Sequence, residues 1–311
     1  MNMQSAQAKN SISKKMKTTW RQMINNRKSY AFMVPFMVVF ITFTIVPVVT
    51  AIWYSFTYFN ILETPLFVGL QNYQRLFLGD KLFMTALKNT LVFAAVTGPM
   101  SYILCLLLAW FINDLNPKLR AVLTVLFYAP SLANIFFVWQ LIFSGDSNGF
   151  LNAYLMKIGI ILEPIQWLTD TKYIVPVIIF IILWSSLGTS FLTFIAGFQN
   201  IDRSLFEAAA VDGIKNRWQE LWFITLPYIR PQLMFGAVMS ITSSFGIGDA
   251  ITGLVGYPST NYVAHTIMHH LNDFGNIRFE MGYACAIAVI LFIVMVSANQ
   301  VVQKMLAKVG E

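Results

Sequence analysis

Residues 29–62 read SYAFMVPFMVVFITFTIVPVVTAIWYSFTYFNIL, a run of 34 positions between Lys28 and Glu63 without one charged side chain. Crossing about 30 Å of hydrocarbon at about 1.5 Å per residue takes roughly 20 residues of helix. Five further charge-free runs follow: 25 positions between Lys88 and Asp114, 25 between Arg120 and Asp146, 29 between Lys172 and Asp202, 18 between Arg230 and Asp249, and 23 between Glu280 and Lys304. Six membrane-spanning helices are expected, at about 30–56, 87–112, 121–143, 173–197, 231–249 and 281–303.

The composition agrees with an all-α integral membrane protein. Of 311 residues, 57% are hydrophobic and 11% charged, where a soluble domain carries about a quarter charged residues. The apolar residues form blocks, not the alternating segments of about ten residues that build a transmembrane barrel. Pro35, Pro47, Pro99, Pro130 and Pro176 fall inside spans, where neighbouring helices tolerate them as packing kinks. Cys105 and Cys285 also fall inside spans and read as small packing residues, not a disulfide framework.

Net charge is +7, and its placement is informative. Residues 1–28 hold seven basic residues and no acid (Lys9, Lys14, Lys15, Lys17, Arg21, Arg27 and Lys28), while the rest balances 14 basic against 14 acidic residues. A basic cluster ending where a hydrophobic span begins sets membrane orientation and is not a nucleic-acid footprint. With the N-terminus in the cytoplasm, the inside segments hold 15 of the 21 Lys and Arg, and an even helix count returns Lys304 and Lys308 to the same side. The first apolar stretch is too long for the core of a cleaved signal peptide, and no small-residue cleavage site follows it. Ile12, Met16, Trp20, Met23 and Ile24 recur at helical spacing among the basic residues. That pattern suits a short helix lying on the inner membrane surface, with a disordered basic tail as the alternative. The chain thus divides into a basic segment, 1–28, and a six-helix membrane domain, 29–311.

On this topology the outside connections are 57–86, 144–172 and 250–280, and the inside ones are the short 113–120 and the long 198–230. Some 33 residues are far more than a turn between neighbouring helices needs. Within the long connection, Glu207-Ala208-Ala209-Ala210-Val211-Asp212-Gly213 is a helix-forming run that stops at glycine, which readily takes the left-handed conformation that closes a helix. A second helical run covers Arg217 to Phe223 and ends near Leu226-Pro227. A helix, a sharp turn and a second helix with mixed charge suit docking to a cytoplasmic partner.

Glu207-Ala208-Ala209, then Gly213, then Ile224-Thr225-Leu226-Pro227 resembles the EAA loop of ABC importer permeases. Ten residues separate Gly213 from Ile224, one more than the family pattern has, and the extra residue falls within Ile214–Arg217. Further similarity lies in Gly69-Leu70-Gln71-Asn72-Tyr73, in Asn89-Thr90, in Thr252 to Pro258 and in Gly282-Tyr283-Ala284, and extends from about residue 69 to about 300. The chain is most similar to the maltose-type carbohydrate importers, and to the first of their two permease subunits. The resemblance implies a type I ABC importer permease fold in the bacterial cytoplasmic membrane, with both termini in the cytoplasm. It implies a heterodimer with a second, homologous permease, two cytoplasmic ATP-binding subunits and an extracytoplasmic solute-binding protein. It further implies a coupling role for Glu207, Ala208, Ala209, Asp212, Gly213, Leu226 and Pro227. Residues of helices 4 and 5 line the sugar site in the maltose-type permeases. The matching positions here are Gly188, Ser190 and Phe191, and Ser240, Ser243, Gly246 and Asp249. The serines and glycines among these are also the kind of residue found at ordinary helix contacts.

The phosphate-binding pattern G-x-x-x-x-G-K-[ST] does not occur in the sequence. No cofactor is expected on this chain, and ATP and Mg²⁺ would be held by the partner ATPases. Two other classes fit the sequence less well. An ion-coupled secondary transporter places ionisable residues near the membrane midplane, but only Asp249 lies near a plausible pathway. An intramembrane metalloenzyme could use His265 and His269, spaced i, i+4, but His-Thr-Ile-Met-His carries no glutamate to act as a base.

Overall fold

The computed structural model describes residues 26–132 and 136–306. The helix expected over Ile12–Ile24, and Lys308, lie outside the described residues. Among the described residues, four helices are long and apolar enough to cross a membrane: α1 (Tyr30–Tyr54), α2 (Lys81–Asn113), the 29-residue stretch Thr171–Gln199, and α12 (Met281–Leu306). Two bent pairs bring the number to the expected six if each counts as one span. These are α3 (Pro117–Leu132) with α4 (Phe136–Ile142), and α9 (Arg230–Phe245) with α10 (Gly248–Val255).

α1 forms a unit of its own, and the chain from Ser55 onward forms another. Inside α1 the turn Ile41–Ile45 is π-helical, with the Val46 N–H reaching back to the Ile41 carbonyl. It ends two residues before Pro47. A proline ring presses on the carbonyl four residues earlier, and a wider turn moves that carbonyl aside. The helix stops at Tyr54, slightly before the expected Phe56, because a short strand begins: β1 (Thr57–Tyr58) pairs antiparallel with β2 (Leu66–Phe67). Asn72 holds this hairpin, its Nδ2 donating to the carbonyls of Ser55 and Thr57 (2.9 Å each).

In the second unit α2 starts six residues earlier than the charge pattern suggests. Asp80 supplies the reason, since its carboxylate accepts the Phe83 N–H (2.9 Å) and caps the helix. The turn into α3 uses Asn116 in the same way, with Pro117 at the first helical position (Asn116 Oδ1 to Leu119 N, 2.8 Å). The fourth span is broken: α5 (Thr171–Ser185) and α6 (Thr189–Gln199) are separated at Ser186–Gly188, so Gly188 is not on a continuous helix. The fifth span also departs from expectation. α9 ends at Phe245, and α10 leaves it at 45° after Gly246 and Ile247. Asp249 therefore lies in the first turn of a separate, angled helix and not at the end of helix 5, and α10 takes up part of the connection expected at 250–280.

α2 contributes to all three buried clusters of this unit. Its Cys105, Ala109 and Trp110 meet α6 and α9, its Ala86 and Ala94 meet α9 and α12, and its Phe93 meets α5 and α10. Lipid is as apolar as leucine, so close packing, not escape from water, selects these contacts. The tightest lies between α6 and α9. Phe194 is fully buried over Gly236, and a Cβ on that glycine would collide with the phenyl ring. Gly236→Leu should therefore destabilise the folded unit by about 1–3 kcal/mol. Its thermal midpoint in detergent should fall, with part of the loss recovered when Phe194→Leu is added. An unchanged midpoint would contradict this packing.

Candidate coupling loop and solute path

The long connection opens with α7 (Arg203–Val211), capped at its start by Asp202, whose carboxylate accepts the Ser204 N–H (3.1 Å). That bond holds the Asp202 carboxyl below its ordinary range. Gly213 ends the helix at φ +94°. The Ile214 N–H donates to the Ala209 carbonyl (3.0 Å) and the Gly213 N–H to that of Ala210 (3.4 Å). This pair of bonds is the Schellman closure. α8 (Arg217–Glu220) follows, capped by Asn216 through the Gln219 N–H (2.9 Å). It runs into a second π-helical turn, Leu221–Thr225, again two residues before a proline, Pro227. A π-turn holds one residue more than the α-helical turn it replaces. Ile224 lies inside this turn.

The loop is fastened to the bundle at three places. Ile201, Leu221 and Leu226 are buried in the core shared by α2, α6 and α9. The Tyr228 hydroxyl donates to the Asn200 carbonyl (3.1 Å), tying the exit of the loop to its entrance. Arg217 pairs with Asp114 and lies over the Trp110 ring at 4.9 Å, while Trp218 meets the same ring at 4.8 Å. The sequence-selected residues divide accordingly. Glu207, Ala208, Asp212 and Gly213 are exposed, Ala209 and Leu226 are buried against the bundle, and Pro227 is half-buried. Val211, not singled out in the sequence, is the most exposed apolar side chain of the turn at 88%.

The residues proposed for the solute path separate in a similar way. Phe191 is fully buried in the core. Ser190 donates to the Gly236 carbonyl (3.2 Å) and lies 3.5 Å from the Ser240 hydroxyl, so these two serines join α6 to α9. Ser243 and Gly246 line a cleft of about 370 Å³ enclosed by α2, α3, α4, α5, α9 and α10. Gly188 and Asp249 do not line it. Its wall adds Thr97, Ser101, Ser131, Ser185, Ser186 and Ser244, all missed by the sequence reading. The doublets Ser185-Ser186 and Ser243-Ser244 in otherwise apolar blocks were the available signal.

At the opposite end of the bundle, His265, His269 and His270 are buried, not surface groups. Asn89 and Thr90, in the third turn of α2, fix this segment: Asn89 Nδ2 donates to the His265 carbonyl (2.9 Å), and the Ile267 N–H donates to Thr90 Oγ1 (2.9 Å). His269 Nδ1 accepts the Thr266 N–H (3.1 Å), and its Nε2 meets Thr252 Oγ1 (3.1 Å). His270 Nε2 meets Asp80 Oδ2 (2.9 Å), which also accepts from the Tyr283 hydroxyl (2.9 Å). His270 Nδ1 lies 3.3 Å from His265 Nε2. One proton per ring satisfies this chain, leaving His265 Nδ1 buried and without a partner. Tyr257 stacks on His269 at 5.6 Å. Among the described residues no three His, Cys, Asp or Glu side chains are grouped to hold a metal ion.

The model of the family described as binding-protein-dependent transport system inner membrane component matches residues 101–306. The chain belongs to that family. YesP, a probable ABC transporter permease protein of Bacillus subtilis (strain 168), is 31% identical over 286 residues, covering 87% of each chain. AraP of the same organism, an arabinooligosaccharides transport system permease protein, is 30% identical over 292 residues, 92% of this chain and 91% of its own. The crystal structure of a bacterial alginate ABC transporter, in complex with an alginate pentasaccharide-bound periplasmic protein, contains a chain of the same fold. The two are 23% identical with a TM-score of 0.76, over 94% of this chain and 98% of that one. The chain is thus a multi-pass membrane permease of an ABC importer that depends on a binding protein. It is a transport subunit and not an enzyme, which sets aside the secondary-transporter and metalloenzyme readings.

Burial lowers the pKa of all three histidines, that of His265 from 6.5 to about 4. The unfolded chain therefore binds more protons than the folded one between these values. Stability is full above about 6.5 and is lost as pH falls toward about 4. Melting in detergent across that window should show the loss, and His265→Gln should flatten it. A pH-independent midpoint for the unaltered protein would contradict the neutral cluster.

Proposed function

We propose that this chain is the first of two permease subunits of an importer that moves a sugar or oligosaccharide delivered by an extracytoplasmic binding protein. Both termini and the 198–230 connection face the cytoplasm, as the basic residues of the sequence favour. The partners are a second, homologous permease and two ATP-binding subunits that hold ATP and Mg²⁺. A saccharide solute is supported by the arabinooligosaccharide relative and by the hydroxyl-lined cleft.

The observation that carries this reading is the closed helix-turn at Gly213. It holds Glu207, Ala208, Asp212 and Val211 outward on a loop whose ends are α6 and α9. Glu207 and Asp212 offer charge to the ATPase surface, and Val211 offers an apolar contact at the turn. Ala209, Leu226 and Pro227 act from the other side, fixing the turn to the bundle so that displacement of the turn is passed to the helices. ATP-driven closure of the ATPases then pulls two turns, one on each permease, and alternates the solute path between the two membrane faces.

Gly213→Val places a branched side chain at φ +94°, in open space but in a backbone region that costs an L-residue roughly 1–2 kcal/mol. The importer carrying Gly213→Val or Glu207→Lys should assemble, and ATP-driven uptake in proteoliposomes should fall roughly tenfold, about 1.4 kcal/mol of coupling. ATP hydrolysis should persist without stimulation by loaded binding protein. Normal uptake in both variants would remove the coupling assignment.

A further inference from the structure

Six of the seven hydroxyls that line the cleft share one bonding arrangement, Ser185 being the exception. Thr97 Oγ1 donates to the Phe93 carbonyl (2.8 Å), Ser101 Oγ to that of Gly98 (3.0 Å) and Ser131 Oγ to that of Tyr128 (2.7 Å). Ser186 Oγ donates to the Leu183 carbonyl (2.7 Å), Ser243 Oγ to that of Ser240 (3.0 Å) and Ser244 Oγ to that of Ile241 (2.7 Å). A hydroxyl has one proton and two acceptor lone pairs. Each of these six has committed its proton to its own helix, a bond that serine and threonine readily make in membrane helices. What remains for a solute is mainly oxygen lone pairs, with the Ser185 hydroxyl as the one side-chain proton not committed in this way.

None of the described residues lining the cleft is charged, and Asp249, next in sequence to Ala250 of the wall, does not line it. The volume of about 370 Å³ falls within the ~300–1,000 Å³ of small-molecule sites. An acceptor-lined wall suits a solute rich in O–H donors. A carboxylate or phosphate is an acceptor only, so it would face mostly lone pairs with lone pairs and find no cation on the lining residues. A cation would equally find no counter-charge.

Resting on the sugar-permease reading above, we propose that the cleft is a neutral-polyol filter: it passes uncharged saccharides and rejects anionic ones such as uronate-containing oligosaccharides. The filter acts after delivery, so it is separable from the choice made by the binding protein.

The test uses the assembled importer in proteoliposomes, with neutral and uronate-containing oligosaccharides of matched length. Each is first shown by calorimetry to load the binding protein. Neutral uptake should exceed acidic uptake by about tenfold or more, the cost of one unsatisfied polar group. Ser243→Lys supplies a donor and a positive charge at the cleft, and should raise the acidic-to-neutral uptake ratio. Ser131→Lys repeats the test from another helix in case the first variant fails to assemble. Equal or faster acidic uptake by the unaltered importer, or no change of ratio in assembled lysine variants, would overturn the filter while leaving the sugar permease intact. Failure to import any loaded saccharide would overturn both.

Discussion

The contact on which the rest of the second unit depends is the close approach of α6 and α9. Gly236 leaves the room that the Phe194 ring fills, and Ser190 reaches across to the Gly236 carbonyl. In lipid, where removal from water does not draw helices together, such small-residue contacts and interhelical hydrogen bonds supply the specificity. These two helices are also the entrance and exit of the long connection. Their packing sets the spacing of its two ends, and the Tyr228–Asn200 bond closes it at the mouth. The turn at Gly213 therefore projects from a base of fixed width, which a contact must have if it is to pass movement on.

The cleft borders the same base. Ser243 and Gly246 lie at the far end of α9, Ser185 and Ser186 lie just before α6, and the remaining wall comes from α2, α3, α4 and α10. A displacement of α6 and α9 reaches the cleft without an intervening element. The breaks at Ser186–Gly188 and Gly246–Ile247 stand beside it, so the helices that bound the cleft are already divided where its wall would have to move. Irregular backbone at membrane depth is tolerated where it lines a cavity, and both breaks fit that rule.

Much of this was legible in the sequence because a bilayer imposes one dominant rule, that spans avoid charge. The runs after Lys28, Lys88, Lys172 and Glu280 gave their helices directly. The rule fails at ends and breaks, for local reasons. Asp80 carries a charge yet begins α2, because an N-cap wants a carboxylate. Gly246 and Gly188 interrupt spans without changing the hydropathy that surrounds them. Gly213 could be placed because a left-handed helix closure has a compositional mark. The division of the serines could not. Ser190 and Ser240 hold helices together while Ser243 and Ser131 line a cleft, and the difference lies in which face each helix turns inward. His265 and His269 have metal-ligand spacing but no glutamate between them to act as a base, so the pattern gives them no chemistry. Their stacking depends on Tyr257 and Asp80, and Asp80 is distant in sequence.

α2 has 33 residues, about 50 Å of helix at ~1.5 Å per residue, well beyond the ~30 Å of hydrocarbon. Asp80, its cap, is bonded into the histidine cluster, and Trp110, in its last turns, is gripped by Arg217 and Trp218. The helix is thus pinned like a beam at both ends, with Thr97 and Ser101 midway between the pins, so a shift of either anchor is carried along a single rigid element to the wall of the cleft.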